Sequence, residues 1–255
     1  MPRVAPSAGV GPGETLDSLG RTLSIVQRAK GYRFNLDSVL LAAFGVSGLD
    51  ERRALSAVDL GTGSGIIALL LASWRPRWTV SAVEVQPSLV TLARRNAALN
   101  NLAVEVVEQD WRSLGTPGRV GHADLVVCNP PYYAADRGER CVDEEKAAAR
   151  QELHGDLQDN IRAASRVVRG SGRVRFIHAA SRATEVISAF ETAGLGVRRL
   201  RFVHAKPVDP AYAVLIDAAP GLRRPLTVEP PLVVHRTRRI YSAEVADLLA
   251  GKTPV

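Results

Sequence analysis

Three glycines in the stretch VDLGTGSGI, residues 58–66, mark the first place where this chain could do chemistry. Gly61, Gly63 and Gly65, with Thr62 between the first two, sit where a strand should turn into a helix, and let a ligand approach the backbone closely. The third glycine of a dinucleotide fingerprint would fall at Ile66, and no Gly-Lys-Ser/Thr closes the loop as a phosphate-binding loop requires. Asp59, two positions ahead of Gly61, would repel a pyrophosphate. It suits a cationic ligand that carries an amino-acid end.

Two further acids fall at later strand ends. Glu84 lies 19 residues past Gly65 (84 − 65), where a carboxylate can hydrogen-bond ribose hydroxyls. Asp110 and Trp111 end the next strand and offer a carboxylate and a flat ring to an adenine. Each acid alone also fits a solvated strand terminus. Together with the glycine turn they point to S-adenosylmethionine, which has a sulfonium, an ammonium and no phosphate.

The fourth strand runs into CNPPYY, residues 128–133. Proline locks its own φ and restricts the residue before it, so Asn129 and Pro130 are held extended, with Pro131 and Tyr132 following. The side-chain oxygen of Asn129 and the carbonyl of Pro130 then form two acceptors in a fixed arrangement. A planar NH2 conjugated to a ring or carbonyl is a poor nucleophile because its lone pair is delocalised. Two acceptors on its N–H bonds draw the nitrogen towards tetrahedral geometry and stabilise the charge that grows during attack. Tyr132 offers a face for a flat substrate. Tyr133 reads as a second stacking ring or, better, as a buried loop residue.

These residues need a scaffold that brings strand ends to one edge. From residue 54 the chain alternates short β-branched runs with helical segments, as a parallel sheet with helices on both faces does. ALSAVDLG, TVSAVEV, VEVVEQD, ADLVVCN and GRVRFIHA read as strands, with helices between them. GVRRLRFVHA and AYAVLIDA have only KPVDP between them and should form an antiparallel edge hairpin. The expected fold is therefore α/β and Rossmann-like: a mostly parallel, seven-stranded sheet with an antiparallel edge pair. Ser88 is the expected N-cap of the second helix. The divisions expected are a flexible tail over 1–20, a cofactor-closing element over 21–53, the core over 54–218 and a Pro-interrupted extension over 219–255.

The net charge of +7 among 255 residues leans towards a polyanionic partner. Arginine clusters at Arg198-Arg199-Arg201, Arg223-Arg224 and HRTRR (235–239) could meet phosphates, though each also suits a solvated face. Cys128, Cys141 and the five histidines show no metal spacing. Neither a signal peptide nor a run of about 18 apolar residues is present. The expectation is a cytoplasmic protein with no metal, no membrane segment and no obligate protein partner. The loop over 134–152 mixes signs and carries no simple reading.

DLGTGSG followed by a strand-ending NPPY resembles the amino-methyltransferases of the class I S-adenosylmethionine-dependent fold. The resemblance covers almost the whole core. It implies methylation of an amine or amide nitrogen, since NPPY is shared by adenine-N6 enzymes acting on DNA or RNA and by glutamine-N5 enzymes acting on release factors. ETLDSLGRTLSIVQRAKGYRFNLDSVLLAAF, KPVDPAYAVLI and IYSAEVADLLAGK are similar to the bacterial tRNA(Val) adenine-N6 methyltransferase group. That likeness implies that Asp37 and its neighbours close over the methionine end of the cofactor, and that the substrate is the adenosine 3′ to the anticodon. Release-factor enzymes would carry a helical recognition domain of roughly seventy residues or more ahead of the glycine turn. Here 58 residues precede Asp59. Glutamine methylation in a protein, adenine methylation in rRNA or DNA, and a cofactor-binding scaffold without activity are the alternatives.

Overall fold

A computed structural model describes residues 10–20, 23–30, 33–114, 122–130, 156–221, 225–237 and 240–254. Strands β3 (Ser56–Leu60), β4 (Thr79–Glu84), β5 (Val104–Glu108), β6 (Ala123–Cys128) and β7 (Val168–Ala179) pair in parallel in the order β5-β4-β3-β6-β7. β8 (Leu195–His204) and β9 (Ala211–Pro220) complete the expected seven, with β9 antiparallel to both β7 and β8.

The C-terminal extension enlarges this sheet. β10 (Thr227–Val228) and β11 (Leu232–Val233) each pair in parallel with β8, making nine strands. Pro230 and Pro231 lie between them. A proline cannot donate to a ladder, so one edge run is split into two short pieces. The extension then forms a small hairpin, β12 (His235–Thr237) with β13 (Ile240–Tyr241), and its closing helix.

Helices α1 (Leu36–Val46) and α2 (Ile66–Trp74) cover one face of the sheet; α4 (Leu157–Val167) and α5 (Ala183–Thr192) cover the other. α3 (Pro87–Leu99) packs beside β5 and beside β2 (Leu23–Arg28), and α6 (Ala243–Leu249) packs on α1. β6 shows why its sequence reads as an unbroken apolar run. Leu125 and Val127 pack into one layer, while Val126 and Cys128 pack into the other, and all four are at most 1% exposed.

Two expectations are corrected at the ends of elements. The first twenty residues are not tail throughout, because Glu14–Leu19 is strand β1, antiparallel to β2 (Leu23–Arg28). Leu19 is buried, Glu14 pairs with Arg95 at 2.6 Å, and Gln27 donates to Asp17 at 2.6 Å. These partners are distant in sequence, and the Pro, Gly and Ser around the strand conceal it. Ser88 is not the N-cap of α3, which starts at Pro87 with Gln86 as the cap. Proline suits the first helical position because the N–H it lacks would have no intrahelical partner there.

One buried cation ties α1 to the sheet. Arg175 on β7 is 2% exposed and donates to Asp217 on β9 at 3.0 Å. Its guanidinium also reaches the carbonyls of Phe44 and Ser47 at the C-terminal end of α1. Burial lowers its pKa to about 10, with the Asp217 carboxylate opposing that shift. Arg199 completes the group, 3.3 Å from Asp217 and 4.2 Å above the Phe44 ring.

Candidate active site

The parallel strands bring their carboxyl ends to one edge, where ligands bind in open α/β sheets. Leu60 of β3 stands beside Val83 and Cys128, and Glu84 stands beside Glu108. The turn after β3 is held by the Gly61 and Thr62 amides, which donate to the Val83 carbonyl at 2.9 and 3.0 Å. Gly61, Gly63 and Gly65 have φ of +69°, +59° and +93°, in the left-handed region where a side chain would be strained. A Cβ on Gly61 would meet nothing within 4 Å, so this turn faces open space. One on Gly65 would meet the Cβ of Ala93 at 3.3 Å, so α3 packs close against this glycine.

Two of the expected cofactor acids are built differently. Glu84 is buried and caps the glycine turn: its carboxylate accepts from the amides of Gly63, Val85 and Gln86 at 2.9–3.0 Å. Asp59 is fully buried, and its Oδ2 accepts from the Thr62 hydroxyl at 2.5 Å and the Ala68 amide at 3.2 Å. Its Oδ1 has no hydrogen-bond partner among the described residues. Burial pushes its carboxyl up to about 7, against the lowering effect of the two hydrogen bonds.

Asp110 and Trp111 diverge. The Asp110 carboxylate caps a short 3₁₀ turn over Trp111–Ser113 and is gripped by the Arg112 guanidinium at 2.6–2.9 Å. Trp111 is 8% exposed and packs with the apolar layer of α4.

The acceptor side is assembled from afar. Asn129 follows β6, and its Nδ2 donates to the Ser38 hydroxyl at 3.1 Å, leaving Oδ1 for another donor. Ser38 is fully buried in the first turn of α1, beside Asp37. Asp37, buried too, accepts from the Tyr212 hydroxyl at 3.1 Å and from Asn35 Nδ2 at 3.3 Å. Burial and the Asp37 charge hold the Tyr212 phenol well above its usual range. Pro130 is described; Pro131, Tyr132 and Tyr133 lie outside the described residues, as do Arg223, Arg224, Arg238 and Arg239. Sequence reasoning missed Ser38, Tyr212 and Asn96. Asn96 accepts from and donates to the Val26 backbone at 2.9 and 3.0 Å and donates to the Ser64 carbonyl at 2.9 Å, clamping β2 to the glycine turn. An asparagine on the buried face of an amphipathic helix was the available signal for it.

Arg199, Arg201, Glu229, Glu244 and Lys252 help to line a cavity of about 470 Å³ between α1, β8 and the C-terminal segment. Its charges neutralise one another, with Arg199–Glu229 at 3.0 Å and Arg201–Glu244 at 2.6 Å. It does not include the strand-end acids. Among the described residues, no group of three or more His, Cys, Asp or Glu could hold a metal, and no helix is long and apolar enough to cross a membrane.

The residues at the edge fit S-adenosylmethionine. The open glycine cradle at this edge, with the buried Asp59 carboxyl and its partnerless Oδ1 behind it, suits a ligand with cationic groups. The model of the methyltransferase small domain matches residues 37–159. The chain is 30% identical over 216 residues to a tRNA1(Val) (adenine(37)-N6)-methyltransferase of Aeromonas hydrophila, covering 83% of this chain and 86% of that one. It is 38% identical to a release factor glutamine methyltransferase of Lactococcus lactis over 87 residues, covering 34% of this chain and 31% of that one. A crystal structure from Agrobacterium tumefaciens, described as a predicted O-methyltransferase, superposes with a TM-score of 0.66 at 25% identity. That match covers 86% of this chain and 97% of the other.

Proposed function

From the premise that the chain belongs to the S-adenosylmethionine-dependent N-methyltransferase family of the tRNA1(Val) adenine-N6 enzymes, we propose that it methylates N6 of an adenine in tRNA, the adenosine 3′ to the anticodon. The observation that carries this reading is the Asn129 amide. Ser38 accepts from its nitrogen, which orients the side-chain oxygen away from the helix.

S-adenosylmethionine, when bound, supplies a methyl group activated by its sulfonium. The protein's own residues prepare the acceptor. Asn129 Oδ1 and the Pro130 carbonyl each take one N–H of the target amine. That withdraws the nitrogen lone pair from conjugation and stabilises the growing positive charge. Pro131, with its fixed φ, would hold the chain extended there, and Tyr132 would offer its ring to the base. Adenine N6 lies inside a base stack, so the base must be extruded to reach this edge.

On the cofactor side, Glu84 would take the ribose portion, and Asp59, itself fully buried, would back the cradle of Gly61, Thr62, Gly63 and Gly65 beneath the cationic portion. Asp37 would close the methionine end, Asp110 and Trp111 would border the adenine, and Asn129 would lie near the methyl group. Asp110 would have to share its carboxylate with Arg112 to do so.

Glutamine methylation in a protein is the second reading, favoured by the shorter match to the release-factor enzyme and by the same two-acceptor chemistry. Labelled cofactor offered with bulk tRNA in one tube and release factors in another separates the two. Label in N6-methyladenosine of the tRNA is the expected result, and label in protein alone would replace this reading with the second.

A further inference from the structure

The hairpin His235–Tyr241 stands at the same edge as Asn129, and backbone bonds fix its place. Val234 donates to the His204 carbonyl at 2.8 Å and His235 to the Ala205 carbonyl at 2.9 Å, both at the carboxyl end of β8. Ser242 donates to the Val234 carbonyl at 2.9 Å, which closes the hairpin's base. His204 pairs with Ala211, and the next residue, Tyr212, reaches Asp37 beside Ser38. From β6 to the strand that leads into the hairpin is four strand spacings in the order β6-β7-β9-β8-β11, about 19 Å at ~4.8 Å each.

His235 and Tyr241 are cross-strand partners in this hairpin. The rings of His235 and Tyr241 are stacked, with centroids 4.6 Å apart and 25° between planes. Tyr241 is 42% exposed and its neighbour Ile240 is 60% exposed. The stretch HRTRRIY, residues 235–241, holds three arginines and no acid. A ring backed by a second ring, on a cationic and acid-free hairpin, is the combination that single-stranded nucleic acid selects: a π-face for a base and positive charge for the backbone.

We propose that the His235–Tyr241 pair is a stacking platform for an unpaired nucleotide of the tRNA next to the extruded adenine, with Arg236 at the adjoining phosphate. The inference rests on the tRNA reading and adds to it a second contact, outside the methyl-transfer centre. Extruding one base separates its neighbours, and the platform would hold one of them about 19 Å along the edge, at four strand spacings of ~4.8 Å.

Steady-state methylation of tRNA by the full chain tests it, with Tyr241→Ala, Tyr241→Phe and Arg236→Glu compared with the unaltered protein. Tyr241→Ala should raise KM for tRNA roughly ten-fold or more, as loss of a stacking ring does. Tyr241→Phe should stay within about two-fold, because the ring face and not the hydroxyl carries the contact. Arg236→Glu should raise KM and flatten its dependence on salt. In all three, affinity for S-adenosylmethionine should be unchanged, which also shows that the fold is intact. An unchanged KM for tRNA in Tyr241→Ala, while the unaltered protein methylates tRNA, would overturn the platform alone. If the unaltered protein leaves tRNA unmethylated and labels protein instead, the tRNA reading itself is overturned.

Discussion

The edge proposed to be catalytic has two halves that are built in opposite ways. On the cofactor half, acids meet partners close by in the chain: Asp59 bonds Thr62 and Ala68, three and nine residues away, and Glu84 bonds Gly63, 21 away. On the acceptor half, Asn129 bonds Ser38 across 91 residues, and Asp37 bonds Tyr212 across 175. The first half is one strand-turn-helix unit and its neighbour strand. The second comes together only when α1 is laid over the finished sheet. Binding the cofactor and activating the acceptor should therefore be separable by substitution.

The largest expected effect lies on the cofactor half and concerns stability. Asp59 keeps its proton in the folded chain up to about pH 7, whereas in the unfolded chain it loses it near 3.8. The folded state thus binds more protons between those values, so stability falls as pH rises from about 4 and levels off above about 7. The full span is on the order of 4 kcal/mol. Urea unfolding at pH 5 and pH 8 should show this loss, and Asp59→Asn should flatten it. A slope unchanged in Asp59→Asn would place the titrating group elsewhere.

Next in size is the separation itself. Asn129→Ala should lower turnover by roughly a hundred-fold or more, as removal of a preorganised polar partner does. Its affinity for S-adenosylmethionine, measured by calorimetry, should move far less. Equal losses in both would merge the two halves into one.

Glu84→Ala is the converse. It takes away the acceptor of three amides and the proposed ribose contact, and should weaken S-adenosylmethionine binding by about 1.5–3 kcal/mol. Turnover at saturating cofactor should be little changed. Unaltered binding in a folded variant would remove Glu84 from the site.

The smallest effect sharpens the contrast most. Ser38→Ala deletes one neutral hydrogen bond, worth about 0.5–1.5 kcal/mol, so turnover should fall about 2- to 10-fold with KM for the cofactor unchanged. Ser38→Thr, which restores a hydroxyl, should recover part of the loss. Failure of the hydroxyl to rescue would show that Asn129 is oriented by other contacts.

What could be read in the sequence follows the same division. The glycine turn, the three strand-end acids and the alternating strands are local patterns, and local steric and hydrogen-bonding rules suffice to see them. Ser38 was invisible for the opposite reason: a serine inside a helix has no signature until its partner across the sheet is known. Strand β1 was masked by its neighbours, since six residues with one buried side chain cannot outweigh a Pro- and Gly-rich setting. β10 and β11 were hidden by their shortness, two residues each, and exist because β8 offers an open edge. Asp59 and Glu84 lie at or next to the last residue of their strands as expected, whereas Asp110 lies two residues past β5 as the cap of a 3₁₀ turn, and their environments depend on which amides the fold turns towards them.

Arg175 has a consequence for drift among related sequences. α1 spans 11 residues, about 16 Å, and its far end is fastened by that guanidinium while its near end carries Asp37 and Ser38. Helices transmit displacement along their axis with little give. A substitution at Arg175, Asp217 or Phe44, none of which faces either ligand, would therefore act as an adjustment screw on the distance between Ser38 and the Asn129 amide. Changes around this buried ionic group should surface both as altered reaction rate at the opposite rim and as lost stability, since the partner left behind is a buried unpaired charge.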